Sequence, residues 1–475
     1  MLETHPKTLA RRAALRALVA SDREDFMAPD FAGVDVSTRA FAREIYSNVL
    51  RHRARIDWSL APLFKKSPEK LDDAVRAALR LALYEKVALR TPDRALANEY
   101  AGLMRGEKLG SATGFVNAIA RRLPGVWRES SGDEAQKLSI EKSHPQWLVE
   151  RYLARFGSEE TEAILRANNQ IAPLCLRANT LKISRDELVS QLEGARAGTL
   201  SPDALYWQGH STKNEERGSE ETGDEGTKKS ESENFSTANS SPMSSSPMSS
   251  SPMSSSHWRN GEIFAQDEAA QLVSFLGAPK PGDFVIDCAS APGGKTTHLA
   301  QLMGNRGRIL ALDSAPPRLE MVRENAARLG IEIIETRVGD LRVVARDLGS
   351  WGAHADLVCL DAPCLGTGTL RRRPDAKWRK TPAQLAQLLG LQSEMLDAAA
   401  LLVKPGGALL YSTCSLEREE NQVQIEAFLA RASSFSVEAA PESLSKAATP
   451  EGFLNTFPHR HGCDGMFAAK LRRAV

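Results

Sequence analysis

Apolar residues recur every four positions at Phe41, Ile45 and Val49, and again at Leu71, Val75, Leu79, Leu83 and Val87. That spacing places each set on one face of a helix. Ser37 is a cap-type residue for the first helix, which should run to about Ile56. Two antiparallel helices sharing a core follow from the two stripes. Arg90 and Arg94 flank the cap-like Thr91-Pro92-Asp93, and Gly114-Phe115-Val116-Asn117 opens a last helix ending near Arg121-Arg122. Residues 1–128 therefore read as an all-helical domain.

The pattern changes after a polar joint at Glu129 to Ala135. A second region begins at Ser143-His144-Pro145-Gln146-Trp147-Leu148-Val149 and stays helical to about Gln170. Pro173 to Leu181 then reads as a strand, followed by a helix from near Ser184 and a strand at Ala204-Leu205-Tyr206-Trp207. Residues 140–210 should form a small α+β module, with Arg177 and Asn179 either lining a nucleic-acid groove or satisfying local backbone. Residues 211–257 break the pattern. They hold 8 acidic against 4 basic side chains, and from Ser241 to Ser256 repeat Ser-Pro-Met-Ser-Ser with prolines at 242, 247 and 252. Such a tract has no apolar face with which to offset its ordering entropy, so it is expected to be disordered, without metal or RNA binding.

From residue 258 to 475 short apolar runs alternate with helical patterns, the signature of a parallel sheet with helices on its faces. Asp283 to Cys288 enters the turn Ala289-Ser290-Ala291-Pro292-Gly293-Gly294-Lys295-Thr296, which lacks the P-loop spacing but still sets backbone and a helix start against a ligand. Arg308 to Leu312 ends in Asp313, 26 residues beyond Asp287, where an acidic side chain suits the ribose hydroxyls of a nucleoside cofactor. Further strands end at Asp340, at Asp361 and at Ser412-Thr413-Cys414-Ser415. Four acidic strand ends and two cysteines thus meet at one sheet edge, where open α/β sheets bind ligands. The loop Asp361 to Trp378 has Pro363 beside Cys364, glycines at 366 and 368, and then Arg371, Arg372, Arg373, Lys377, Arg379 and Lys380 as expected phosphate partners, with Trp378 available to stack on a base.

Composition narrows the picture. The chain has 475 residues, 42% hydrophobic and 25% charged, which suits two or three globular domains. Its net charge of +1 does not by itself announce nucleic acid, but residues 1–130 hold 23 Lys and Arg against 16 Asp and Glu. No apolar run approaches the roughly 18 residues of a membrane span, and the N-terminus lacks a signal-type apolar core, so a cytoplasmic protein without membrane contact is expected. Six cysteines without a CxxC spacing indicate reduced thiols and no metal site. Cys175, Cys288 and Cys359 read as small buried hydrophobes, whereas Cys364 and Cys414 follow strand ends in polar company and are candidates for reactivity.

The run Arg76 to Leu89 and the segment Lys108 to Leu123, with Phe115-Val116-Asn117, resemble the NusB-like RNA-binding helical domain. Ala289 to Thr297, Asp361-Ala362-Pro363-Cys364, Ser412-Thr413-Cys414-Ser415 and Asp464-Gly465-Met466-Phe467 look like the S-adenosylmethionine-dependent RNA cytosine-5 methyltransferases. Together they resemble the Sun or RsmB branch, which acts on 16S ribosomal RNA of the small subunit. The resemblance implies a Rossmann-like methyltransferase sheet with a final antiparallel strand near Met466 to Lys470. It implies Cys414 as the thiolate that adds to carbon 6, Cys364 as helper in the elimination, and Asp361 at the base edge. It also implies S-adenosylmethionine held by Ala289, Ser290, Ala291, Pro292, Gly293, Gly294, Lys295, Asp313, Arg318, Asp340 and Asp361, with no metal, in a monomer. Leu365 and Ser290 depart from the family's commoner serine and alanine without removing a group that the chemistry needs. The rival readings are a transfer-RNA cytosine-5 methyltransferase and an inactive NusB-like RNA-binding factor.

Overall fold

In the computed structural model, residues 5–22, 29, 31, 34–65, 68–208, 252–347 and 354–475 are described. The expected disorder of 211–251 lies outside the described residues. Among those described, no helix is long and apolar enough to cross a membrane.

The helical start is built as the stripes predict, with two differences. The helix begun at Val36 ends at Arg51, and a second runs Arg53–Leu60, because His52 leaves helical geometry at φ −110°, ψ 14°. A further helix, Pro6–Ser21, packs on Val36–Arg51 and on Asp73–Val87. Its stripe is hard to see in the sequence because a charge interrupts it: Arg11 is buried, its Nε and Nη2 on Glu85 at 2.8 and 2.6 Å, while the Tyr100 hydroxyl donates to the same carboxylate at 2.6 Å.

Four strands form the small module: β1 Leu174–Ala178, β2 Ala195–Ala197, β3 Ala204–Trp207 and β4 Ile263–Ala265, in the order β2-β3-β1-β4. The last strand lies past the predicted boundary at 258, yet Ile263 pairs with Ala178 and Ala265 with Leu176. Order also resumes earlier than predicted, since Pro252–Ser254 is a 3-10 turn with Pro252 buried, and Met253 and Trp258 pack on the module's core.

The larger sheet comprises β5 Phe284–Asp287, β6 Arg308–Asp313, β7 Ile334–Val338, β8 Ala355–Asp361, β9 Val403–Thr413, β10 Phe435–Glu438, β11 Leu454–Asn455 and β12 Phe467–Arg473. They are ordered β10-β12-β9-β8-β5-β6-β7, with β11 on β12. β9, β8, β5, β6 and β7 are mutually parallel and β12 is antiparallel to β9. The alternation of a strand explains the two covered faces. Leu357 and Cys359 of β8 pack with Leu272, Leu299 and Leu410, while Val358 and Leu360 pack with Leu396, Tyr411 and Ile425 on the other side. The order reverses between β5 and β8, so a crevice opens at their carboxyl ends.

The basic run after Cys364 joins the domains. Trp378 donates its indole N–H to the Leu50 carbonyl at 2.8 Å and packs on the core of the helical domain. Lys377 is 2% exposed and donates to the Arg51 carbonyl and to Asn169 at 3.2 and 2.9 Å. Arg379 reaches the Ser21 carbonyl and Asp375. Arg371 and Arg372 are tied to Asp464 at 2.9 and 2.8 Å, and Arg372 also to Asp267 at 2.5 Å. For Arg371, Arg372, Lys377, Trp378 and Arg379 the expected phosphate grip and stacking are thereby corrected, because groups already engaged by carboxylates and carbonyls within the fold have little left to offer RNA, whereas Arg373 stays exposed. Arg177 and Asn179 likewise hold the module to the sheet. Arg177 bonds Gln266, the Gly294 carbonyl and Thr297, and Asn179 bonds the Gly261 and Leu329 carbonyls.

Candidate active site

β8 ends at Asp361 and β9 at Thr413, and the turns that follow bring Cys364 and Cys414 together with their sulfurs 3.4 Å apart. Local glycines permit the approach. The Gly368 N–H donates to the Cys414 carbonyl at 3.0 Å and its carbonyl accepts from Gly465 N at 2.8 Å, so a Cβ at Gly368 would run into the Gly465 backbone. Both cysteines are partly exposed, unlike Cys175, Cys288, Cys359 and Cys463, which are buried.

The two thiols are not equivalent. A hydrogen bond from the Cys364 thiol pulls Cys414 below the ordinary thiol range, against its burial and the Asp361 charge and with help from Lys295. The same hydrogen bond, then burial, pushes Cys364 well above that range. The contact between the sulfurs thus favours negative charge on Cys414 over Cys364. Beside them Lys295 Nζ donates to Asp361 Oδ2 at 2.6 Å and Ser412 Oγ to Asp361 Oδ1 at 2.9 Å. Burial disfavours the Lys295 ammonium, but Asp361 outweighs it and its pKa lies above the ordinary value.

The turn from β5 into the helix Gly294–Leu302 carries Ala289 to Lys295. Gly293 opens that helix at φ +99°, a conformation that a side chain would strain. Ser290 Oγ donates to the Leu312 carbonyl at 3.0 Å, and Thr296 Oγ1 to Asp287 Oδ2 at 2.7 Å. Burial raises Asp287 to about 6. At the end of β6, Asp313 accepts the Ala291 N–H at 3.3 Å on Oδ2 and the Ala315 N–H at 3.0 Å on Oδ1. Arg318 stands 3.6 Å from the same carboxylate and donates to the Ala291 carbonyl at 2.9 Å. A carboxylate has about four acceptor sites, so two remain for a pair of hydroxyls. These residues fit a nucleoside cofactor. Asp340, after β7, is half-exposed and paired at 2.7 Å with Arg342, which also holds Glu394 and lowers the Asp340 pKa.

Sequence reasoning thus located the residues at the strand ends, and the structure brings Lys295, Asp361, Cys364, Ser412 and Cys414 into one group. It missed Gln392, Glu420 and the bridging role of Asp464. Glu420 sits in the run Glu417-Arg418-Glu419-Glu420-Asn421, which reads as a solvated charged face.

Residues 274–472 match the family described as 16S rRNA methyltransferase RsmB/F, 144–209 its ferredoxin-like domain and 8–124 the NusB family. The chain is 32% identical over 449 residues to the probable ribosomal RNA small subunit methyltransferase B of Bacillus subtilis, covering 92% of this chain and 90% of that one. It superposes on the crystal structure of PH0851 with a TM-score of 0.77 at 28% identity over 99% of both chains. NSun6 from Pyrococcus horikoshii, solved with SFG, gives 0.56 at 25% identity over 70% of this chain and 98% of that one.

Proposed function

Because this chain belongs to the RsmB/F family of 16S rRNA methyltransferases, we propose that it methylates carbon 5 of a cytosine in small-subunit ribosomal RNA through a covalent adduct with Cys414. The observation that carries this reading is the pair of sulfurs 3.4 Å apart beside the Lys295–Asp361 ion pair. Carbon 5 of cytosine is a weak nucleophile. Addition of the Cys414 thiolate at carbon 6, with Asp361 stabilising positive charge at the N3 edge, gives an enamine whose carbon 5 is nucleophilic. S-adenosylmethionine, when bound, supplies an electrophilic methyl group. Cys364, once its own proton has passed to solvent, accepts the carbon 5 proton, and the bond from carbon 6 to the Cys414 sulfur then breaks to restore the thiolate. A base inside a helix cannot reach such a crevice, so an unpaired or everted cytosine is the fitting substrate.

Purified protein is expected to transfer labelled methyl groups to 16S RNA. Bisulfite sequencing of ribosomal and transfer RNA from a strain lacking the gene should show one protected cytosine lost from 16S RNA; loss confined to transfer RNA would overturn the substrate assignment. For the cofactor, Asp313→Ala should weaken S-adenosylmethionine binding by about 1.5–3 kcal/mol for each charged hydrogen bond removed. Calorimetry reads this directly, and an unchanged affinity would take Asp313 out of the site.

A further inference from the structure

A buried carboxylate lies behind the two sulfurs, and the proposed chemistry does not use it. Glu420 is 0% exposed and ends the short turn Arg418–Glu420. Its Oε1 accepts from the Leu365 N–H at 2.9 Å and from Gln392 Nε2 at 3.0 Å, and that same Nε2 donates to the Pro363 carbonyl at 2.9 Å. Carboxylate and amide therefore hold the backbone on both sides of Cys364. The Glu420 carbonyl is fixed in turn by the Tyr411 hydroxyl at 2.7 Å.

A charge so enclosed acts strongly on its neighbours, because little water screens it. The Cys364 thiol is held up first by its bond to Cys414, then by burial, then by the charges of Cys414, Glu420 and Asp361. The strongest influences on Cys414 are the Cys364 bond, burial, Asp361, Lys295 and Asp464. The other groups facing Glu420 are Glu417, Tyr411 and Lys380, and Lys380 feels both cysteines as well. The carboxylate, whose own pKa burial raises, thus ranks among the charges acting on the Cys364 sulfur and grips the peptide beside it.

We propose that Glu420 is a positioning residue of the reaction: it clamps residues 363–365 and, by its charge, keeps the proton on Cys364, so that Cys414 carries the thiolate. This rests on the proposed role of Cys414 and adds the group that decides between the two cysteines.

The test needs neither RNA nor cofactor. Full-length protein is treated with limiting iodoacetamide from about pH 6 to about pH 9, spanning the thiol range, and alkylation of each cysteine is read by mass spectrometry of its peptide. The native chain should alkylate first at Cys414. Glu420→Gln leaves an oxygen for Leu365 but no charge, and the ratio of Cys364 to Cys414 alkylation near neutrality should rise roughly tenfold per pK unit released. A native ratio in Glu420→Gln, even with a lowered thermal midpoint, would make the residue merely structural and sink the proposal. Gln392→Ala loosens the clamp on Pro363 and keeps the charge, so its ratio should stay near native; a shift as large as that of Glu420→Gln would show that the clamp, not the charge, selects the thiol. If Glu420→Gln does not fold, Glu420→Asp carries the test. Its charge is drawn back by one methylene, and an intermediate ratio is expected, whereas an unmoved one overturns the proposal. Failure of the RNA adduct experiment on Cys414 would show itself separately, since alkylation reports the thiols alone.

Discussion

Cys414→Ala is expected to abolish both methyl transfer and covalent attachment to RNA, while Cys364→Ala should accumulate RNA bound through Cys414. The first variant has no nucleophile for carbon 6. In the second, addition and methyl transfer remain, but the helper for loss of the carbon 5 proton is missing, and turnover should fall by about 10²–10⁴, the usual contribution of a positioned acid or base. The 3.4 Å contact adds a pH signature. Removing the Cys364 thiol removes the hydrogen bond that lowers Cys414, leaving burial to raise it. Adduct formation in Cys364→Ala should therefore be slower near neutrality and recover as pH rises, because the thiolate is the reactive form. Denaturing electrophoresis with labelled RNA and S-adenosylmethionine shows the stalled species as a slow band. A band in Cys414→Ala that vanishes in Cys364→Ala would exchange the two roles.

Asp464→Ala should lower the stability of the chain by about 3–5 kcal/mol, the cost of leaving a buried charge without its partner. Asp464 accepts from Arg371 Nε at 2.9 Å and Arg372 Nε at 2.8 Å, and its own N–H donates to Asp267 Oδ1 at 2.9 Å. Arg371 and Asp464 are almost wholly buried, so Arg371 cannot turn to water when the carboxylate is lost, whereas Arg372 is 28% exposed and keeps Asp267. The cluster is not intrinsically a source of stability. Burial, then the nearby Asp267, pushes the Asp464 carboxyl above its ordinary range despite both arginines, as expected where desolvation offsets much of the Coulomb gain. What the cluster fixes is geometry, because Gly465 packs on Gly368 and through it on Cys414. Urea unfolding followed by circular dichroism measures the loss. A shift below about 1 kcal/mol, the worth of an ordinary surface pair, would show that these groups are solvated.

Much of this was written locally. The apolar stripes at Phe41 to Val49 and Leu71 to Val87 became helices, and three strands end at Asp287, Asp313 and Asp361, with Asp340 two residues past the end of a fourth. The helix Pro6–Ser21 escaped notice because Arg11, its buried charge, is neutralised by Glu85, which lies 74 positions away. The loop after Cys364 misled for the same reason. Six basic side chains and a tryptophan in 371–380 suggested a grip on phosphates, and nothing within reach along the chain announces that Arg371 meets Asp464, 93 positions later, or that Trp378 meets Leu50, 328 positions earlier.

The sequence alone thus determined the striped helices, the main parallel strands and the groups at their carboxyl ends, because side-chain period and turn chemistry act over a few neighbouring residues. Only the tertiary structure decided what the long polar side chains do. A polar side chain takes its role from whichever partner the fold buries beside it, and that partner made Lys377 and Trp378 the joint to the helical domain, tied Arg371 and Arg372 to Asp464 and set Glu420 against the backbone of Cys364.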